Sequence, residues 1–227
     1  MLKKYRDNLT TKAIIVNMVV AAVSLFVNGF GVYLTIQANI GASPWDVLNL
    51  GLSNTFGILY GTASILVSFT ILGIDILMKE AIGIAMIIDA IVVGKSVDFF
   101  NRIGAVEKCD SFKTAIPVMI LGLIIMAYTQ YFYMNTSLGC GPRDTLLIGL
   151  TRKTKGIPIG LVSIGLLATA TFIGWLLGGP VGIGTIICAL CQGPIMQFAF
   201  KTLSFDATKI RHQSIFESFR VFAHKTA

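Results

Sequence analysis

The sequence NIGASPWDVL at residues 39–48 decides the fold, because the same pattern returns as SLGCGPRDTL at residues 137–146. In each copy a hydrophobic run ends at a glycine, and Pro-x-Asp then opens a new segment. With one residue inserted in the second half, the match continues at Gly61 and Gly160, Ser64 and Ser163, Gly83 and Gly182, Gly94 and Gly193, and Phe99 and Phe198. A repeat of roughly a hundred residues is too long for a solenoid and predicts two related half-molecules.

The composition places the chain among membrane proteins. Of its 227 residues, 55% are hydrophobic and 13% are charged, whereas soluble domains carry about 25% charged residues. Its mean hydropathy is +0.79. The net charge of +7 does not indicate a nucleic-acid partner, because basic residues in membrane proteins mark the cytoplasmic side. The lipid bilayer is the expected partner, and the charged N-terminus shows no cleavable signal pattern.

Six hydrophobic segments approach the roughly 20 residues that a helix needs to cross a bilayer. They cover residues 13–38, 59–78, 81–100, 114–136, 158–178 and 181–200. We therefore divide the chain into a cytoplasmic N-terminus (1–12), membrane repeat 1 (13–101), an outer loop (102–113), membrane repeat 2 (114–201) and a cytoplasmic amphipathic basic tail (202–227).

Each Pro-x-Asp copy opens a stretch of about 13 residues, which is too short to cross the bilayer. We predict a short helix there, since proline at the first helical position lacks only an N–H that would be unpaired anyway. Ser43 and Asp46 also have the spacing of a capping box. The predicted fold is an all-α membrane protein with six transmembrane helices in two three-helix repeats, each with a short Pro-initiated helix after its first span. Whether these short helices are re-entrant or interfacial stays open.

The distribution of Lys and Arg sets the predicted orientation. With the N-terminus in the cytoplasm and six crossings, all but a few of the 18 basic residues lie on the inner side, so both termini are predicted to be cytoplasmic. Because each repeat crosses three times, the second is inserted upside down relative to the first. Inverted repeats are a common plan of secondary transporters. The two Pro-x-Asp helices are then expected at opposite sides of the membrane, as paired gates or cavity walls rather than one shared site.

Three aspartates are candidate substrate-binding residues. Asp46 and Asp144 hold equivalent places in the two copies, where they either face a cavity or simply offset the helix dipole in the first turn. Asp89 lies near the middle of the third segment, and an acid at that depth usually faces a bundle interior or an aqueous cavity. We therefore expect Asp89 to be the sharpest single candidate.

The remaining candidates are polar or aromatic residues of the same regions. Arg143 replaces Trp45 in the second copy. Arg143 is either a snorkelling anchor or a residue that meets an anionic substrate, and Trp45 is by default an interfacial anchor. Pro44 and Pro142 belong to the motif itself. Three mid-segment amides either hydrogen-bond across helices or, less often, contact a substrate: Asn28, Gln130 and Gln192. Four tyrosines either line a cavity or form an aromatic belt: Tyr33, Tyr128, Tyr131 and Tyr133.

No enzyme, cofactor or metal motif is found in the sequence. It has no phosphate-binding lysine loop, no H-E-x-x-H and no G-x-S-x-G pattern. Both histidines, His212 and His224, fall in the tail. Cys188 and Cys191 have C-x-x-C spacing, but they lie in an apolar segment without a second ligand pair. We therefore expect no enzymatic activity, no cofactor and no metal site.

The two motif copies, with Gly94 and Gly193 further on, resemble the bacterial YczE-like membrane proteins, a family grouped with YyaS and YitT. The resemblance covers residues 13–200. It implies an integral protein of the bacterial inner membrane, with loose links to peptide-antibiotic production, and it implies no defined substrate.

Two functions fit these observations. The first is a small-molecule secondary transporter or permease with a polar site at the interface of the inverted repeats. The second is a non-transporting module, either a substrate-binding subunit or a regulator of another membrane complex. A homodimer or a partner membrane subunit fits either function. The transporter hypothesis predicts a water-accessible cavity, and a dry interface between the repeats would exclude it. The cavity should contain at least two of the four charged candidates: Asp46, Asp89, Asp144 and Arg143.

Overall fold

The computed structural model describes residues 11–205, 210, 213–217 and 221. Within residues 11–205 the chain forms eight α-helices and no strand. They are α1 (Thr11–Gln37), α2 (Pro44–Phe56), α3 (Tyr60–Leu77), α4 (Ile84–Ile103), α5 (Phe112–Met134), α6 (Pro142–Lys153), α7 (Ile159–Leu176) and α8 (Ile183–Thr202). The six predicted long helices and the two short ones are all present, so the all-α class is confirmed.

Five of these helices are long and apolar enough to cross a membrane by length and composition: α1, α3, α5, α7 and α8. Helix α4 has 20 residues but is not among them. The reason is its polar content, since Asp89, Lys95 and Asp98 interrupt its apolar sequence. The large apolar side chains on the outer surface of the bundle are exposed, as expected for helices that face lipid.

The turns before the two short helices have the same backbone conformation. Asn39 and Ser137 have φ of 56° and 60°, and Gly41 and Gly139 have φ of 110° and 128°. Glycine adopts such positive φ without a Cβ clash, which explains why both copies carry it here. Proline then opens each helix, as predicted.

The capping box predicted at the start of α2 is wrong. The Ser43 side chain makes no hydrogen bond to the backbone of the first turn. Its hydroxyl instead donates to Oδ2 of Asp46 at 2.5 Å. The carboxylate is the stronger acceptor, so the hydroxyl turns toward it and away from the free N–H groups.

The two halves exchange equivalent contacts. The Ile40 carbonyl before α2 accepts a hydrogen bond from the Gly184 N–H at 2.7 Å, and the equivalent Leu138 carbonyl before α6 accepts one from the Ala85 N–H at 3.1 Å. Each Pro-x-Asp loop is therefore attached to the first turn of the last helix in the other half. A Cβ on Gly139 would stand 2.9 Å from Gly83 Cα, so side chains are excluded there.

The short helices follow the same reciprocal rule, since α2 packs mainly on α7 and α6 packs on α3. At its C-terminal end α2 contacts the turn after α7, where the Asn54 amide donates to the Gly178 carbonyl at 3.0 Å. At the corresponding end of α6, Arg152 forms an ion pair with Glu80, in the turn after α3, at 3.2 Å. Each short helix thus begins in the interior and runs to a surface turn of the other half.

The first helices of the two halves, α1 and α5, form the central contact. They cross at glycines, where a Cβ on Gly31 would lie 2.8 Å from the Gly122 carbonyl oxygen. The Asn28 amide donates to Thr129 Oγ1 at 2.9 Å across the same interface. Residues 1–10 of the predicted N-terminal region 1–12 and most of the predicted tail 202–227 lie outside the described residues.

Candidate functional site

A polar cavity of about 420 Å³ lies between the two halves. Its walls come from both short helices and from α1, α3, α4, α5, α7 and α8. All four charged candidates line it, together with five of the other predicted residues: Asp46, Asp89, Asp144, Arg143, Asn28, Pro44, Trp45, Gln130 and Gln192. Pro142 is buried and does not line the cavity.

The two motif copies both form walls of this cavity, and they meet there. The guanidinium carbon of Arg143 lies 5.1 Å from the centroid of the Trp45 ring, which is cation–π distance. The physical reason is the course of α2 and α6. Each begins in the interior and ends at a surface turn, so their N-terminal ends face each other although their C-terminal ends lie apart.

Asp46 is held in a closed hydrogen-bond network. Its side chain is 2% exposed. Ser43 donates to one carboxylate oxygen, and the Tyr60 hydroxyl donates to the other at 2.7 Å. The Asn49 amide in turn donates to Tyr60 at 3.3 Å. These bonds satisfy the carboxylate locally, which supports the structural reading of Asp46.

Asp89 and Asp144 are placed differently. A Cβ built on Gly141 would lie 2.9 Å from Oδ2 of Asp89 and 3.6 Å from Oδ2 of Asp144, so the two carboxylates flank one small space. Asp144 is exposed and Asp89 half-buried, although both lie among helices, because they face the cavity. The Gln130 amide reaches Asp144 at 3.4 Å, a long contact.

Two tyrosines complete the polar wall. Tyr133 is 1% exposed and lines the cavity, and no described residue forms a hydrogen bond with its hydroxyl. Tyr60, at the start of α3, was not predicted from the sequence, and the one signal for it was its place directly before the repeated Gly61. Tyr33 and Tyr128 serve elsewhere, bonded to the Val106 carbonyl at 2.7 Å and to Thr202 at 3.2 Å.

One side of the cavity is closed by close packing between α3 and α4. A Cβ on Gly61 would overlap the Gly94 carbonyl and the Asp98 carboxylate. The Gly61 N–H, in the first turn of α3, donates to Asp98 Oδ1 at 2.8 Å. An acid from α4 thus accepts a hydrogen bond at the N-terminus of α3, where a free N–H needs a partner. We call this contact the Gly61–Gly94 seam.

The equivalent place in the second half is open. Gly160 of α7 and Gly193 of α8 match Gly61 and Gly94, yet no atom of the described residues lies within 4 Å of a Cβ added to either. Gln197, at the position that matches Asp98, is exposed. Helix α7 accordingly buries only Ala170 and Gly174, whereas α3 buries nine residues. We call this opening the Gly160–Gly193 gap.

Residues 15–201 match DUF6198, a family of unknown function. The uncharacterised membrane protein YczE of Bacillus subtilis is 35% identical over 177 residues, which cover 77% of this chain and 81% of YczE. The uncharacterised protein YyaS of the same organism is 26% identical over 185 residues, covering 78% and 89% of the two chains. No solved structure gives a significant match.

Proposed function

This chain belongs to the YczE-like family DUF6198 of membrane proteins, and on that premise we propose that it is a small-molecule secondary transporter of the bacterial plasma membrane. In this proposal the six long helices cross the membrane as two inverted repeats, with both termini in the cytoplasm. The substrate binds in the polar cavity between the repeats, and the halves rock to open it to either side.

Helix α4 is the sixth crossing in this proposal. Twenty helical residues span about 30 Å, the thickness of the hydrocarbon core. Its two acids do not face lipid, because Asp89 lines the cavity and Asp98 bonds to Gly61 in the seam. Acids placed in this way are typical of substrate pathways.

The observation that carries the proposal is the difference between the seam and the gap. Two equivalent helix pairs border one cavity, and one pair is closed while the other is open. With the predicted orientation, the closed Gly61–Gly94 seam faces outward and the Gly160–Gly193 gap faces the cytoplasm. This arrangement corresponds to the inward-open state of an alternating-access cycle, in which two states of similar packing exchange.

In the outward-open state the Gly160–Gly193 gap is closed and the Gly61–Gly94 seam is open. Gly160 and Gly193 come together, and the side-chain oxygen of Gln197 accepts the Gly160 N–H as Asp98 now accepts that of Gly61. The first seam opens in the same movement. Glycine at all four positions allows the backbone contact that either closed state requires.

Spin-label distances test this exchange directly. The four cysteines, at residues 109, 140, 188 and 191, are first replaced by serine or alanine. One labelled pair then spans the seam at Leu59 and Arg102, and the equivalent pair spans the gap at Pro158 and Lys201. We expect two distances at each pair in proteoliposomes, with the shorter one more populated across the seam and the longer one more populated across the gap.

Filling the gap provides the control. Gly160→Leu adds bulk where no atom lies within 4 Å, and Gly165→Leu adds the same bulk on the same helix, also with no neighbour. We expect the first variant to lose the short gap distance and the second to keep both distances. A single, unchanged distance at both pairs in the wild type would rule out alternating access.

A further inference from the structure

The pair Asp89 and Asp144 is the part of the cavity whose polar groups are not satisfied within the protein. Among the described residues, no Lys, Arg or His forms an ion pair with either carboxylate. Within the part of the chain that the structure describes, the only side-chain hydrogen bond to the pair is the long contact from Gln130. Two carboxylates that face one small space repel each other unless a cation or a proton lies between them.

A second observation points independently to a ligand at the same place. The Tyr133 side chain lines this cavity, and its buried hydroxyl has no hydrogen-bond partner among the described residues. It lies near enough to interact electrostatically with both Asp89 and Asp144. A buried hydroxyl without a hydrogen bond is costly, so a bound group that bonds to it would be stabilised.

The charge of the cavity favours a cation. Three acids and one base line it: Asp46, Asp89, Asp144 and Arg143. Asp46 already accepts bonds from Ser43 and Tyr60. Arg143 rests on Trp45 and also attracts Asp89 and Asp144 electrostatically, but one guanidinium balances only one of the two carboxylates. The N-terminal ends of α2 and α6 carry partial positive charge, which would favour an anion instead, but each has its own first-turn aspartate.

The donors and walls of the cavity narrow the kind of cation. Among the described residues, no three His, Cys, Asp or Glu side chains come together as they would around a metal ion. Two carboxylates and a hydroxyl are acceptors that match the three N–H groups of a primary ammonium. Beyond them the wall is apolar, with Met126, Leu147 and Leu166. A cavity of about 420 Å³ suits a small organic ligand.

Resting on the proposed function, we propose that the cavity takes a protonated primary amine with a small apolar body. The ammonium lies between Asp89 and Asp144 and donates its third N–H to the Tyr133 hydroxyl. The apolar body lies against α6 and α7 on the side of the Gly160–Gly193 gap.

Three matched probes separate this proposal from its alternatives: benzylamine, benzyltrimethylammonium and benzoate. Each is titrated into the purified full chain while binding is measured by calorimetry and the thermal midpoint is followed. We expect benzylamine to bind and raise the midpoint, and the quaternary ion, which has no N–H donors, to bind at least roughly tenfold more weakly. Benzoate should leave the midpoint unchanged. Tighter binding of benzoate or of the quaternary ion than of benzylamine would overturn the proposal.

Variants locate the site. Asp89→Asn, Asp144→Asn and Tyr133→Phe should each weaken benzylamine binding, by roughly tenfold or more for the two acids. Asp110→Asn removes an exposed acid of the loop before α5 and serves as the matched control, with unchanged affinity. Because each Asp→Asn change relieves repulsion within the pair, the ligand-free variants should unfold no earlier than the wild type. Unchanged affinity in all three variants would contradict the assignment.

The two proposals can fail separately. If the spin-label distances exchange but benzylamine does not bind, the transport proposal is retained and the amine-site proposal is rejected. If benzylamine binds with the expected variant pattern but the distances never change, the amine site stands and transport falls.

Discussion

The two halves of the molecule share one sequence pattern but differ in how their last two helices meet. In the first half, α3 and α4 meet at Gly61 and Gly94, and Asp98 accepts the Gly61 N–H. In the second half, the matching Gly160 and Gly193 stand apart. At the Pro-x-Asp loops the halves agree closely, since the turns have similar backbone angles and the loops exchange equivalent hydrogen bonds.

This difference shows that the repeated sequence does not fix one geometry for each half. Four glycines keep both helix pairs capable of backbone contact, so the closed and open forms are two arrangements of similar parts. A chain with two such helix pairs can hold one pair open while the other pair is closed. The following predictions test how far the two halves differ, starting from the largest effect.

The largest expected effect comes from adding bulk at the seam. Gly61→Leu must displace the Gly94 carbonyl and the Asp98 carboxylate, so we expect it to destabilise the protein by about 3 kcal/mol. Gly160→Leu meets nothing within 4 Å and should change the stability by no more than about 0.5 kcal/mol. Denaturant unfolding of both variants in one detergent measures this. Equal losses would show that the gap is closed in solution.

A smaller effect on stability is expected from changing Asp98 and Gln197, which lie one helical turn after Gly94 and Gly193. Asp98→Ala leaves the Gly61 N–H without its acceptor, at a cost of about 2 kcal/mol. Gln197→Ala removes an exposed side chain and should be nearly neutral for stability. The spin-label experiment should reverse this order for the short distance across the gap. Gln197→Ala should lower the population of that distance, because Gln197 has a partner only in the outward-open state. If Gln197→Ala leaves the short gap distance as populated as before, Gln197 has no part in closing the gap.

The smallest effect is expected where the short helices reach the surface. Glu80→Gln breaks the ion pair with Arg152, whose side chain is 68% exposed, and should cost less than about 1 kcal/mol. Asn54→Ala breaks the neutral bond to the Gly178 carbonyl at the corresponding place of the other half. Raising the salt concentration should weaken the first contact and not the second. A salt dependence shared by both variants would point to a cause other than the ion pair.

Much of the architecture could be predicted before the tertiary contacts were known. Apolar runs of the right length gave the six long helices, and Pro44 and Pro142 marked the starts of the two short ones. The site residues could be named because acids such as Asp89 are costly in an apolar segment. Tyr60 could not be predicted as a site residue. Nothing in the local sequence distinguishes a tyrosine at a helix start that donates a hydrogen bond to an aspartate from one that faces lipid.

The sequence by itself therefore determined the helices, the duplication and the polar residues in their midst, because these depend on local periodicity and on the cost of charge in lipid. Only the tertiary structure decided that both Pro-x-Asp motifs open onto one cavity, that Asp46 is satisfied while Asp89 and Asp144 are not, and that the Gly61–Gly94 seam is closed while the Gly160–Gly193 gap is open. Those outcomes depend on contacts between segments roughly a hundred residues apart, and two equivalent sequences can meet different neighbours.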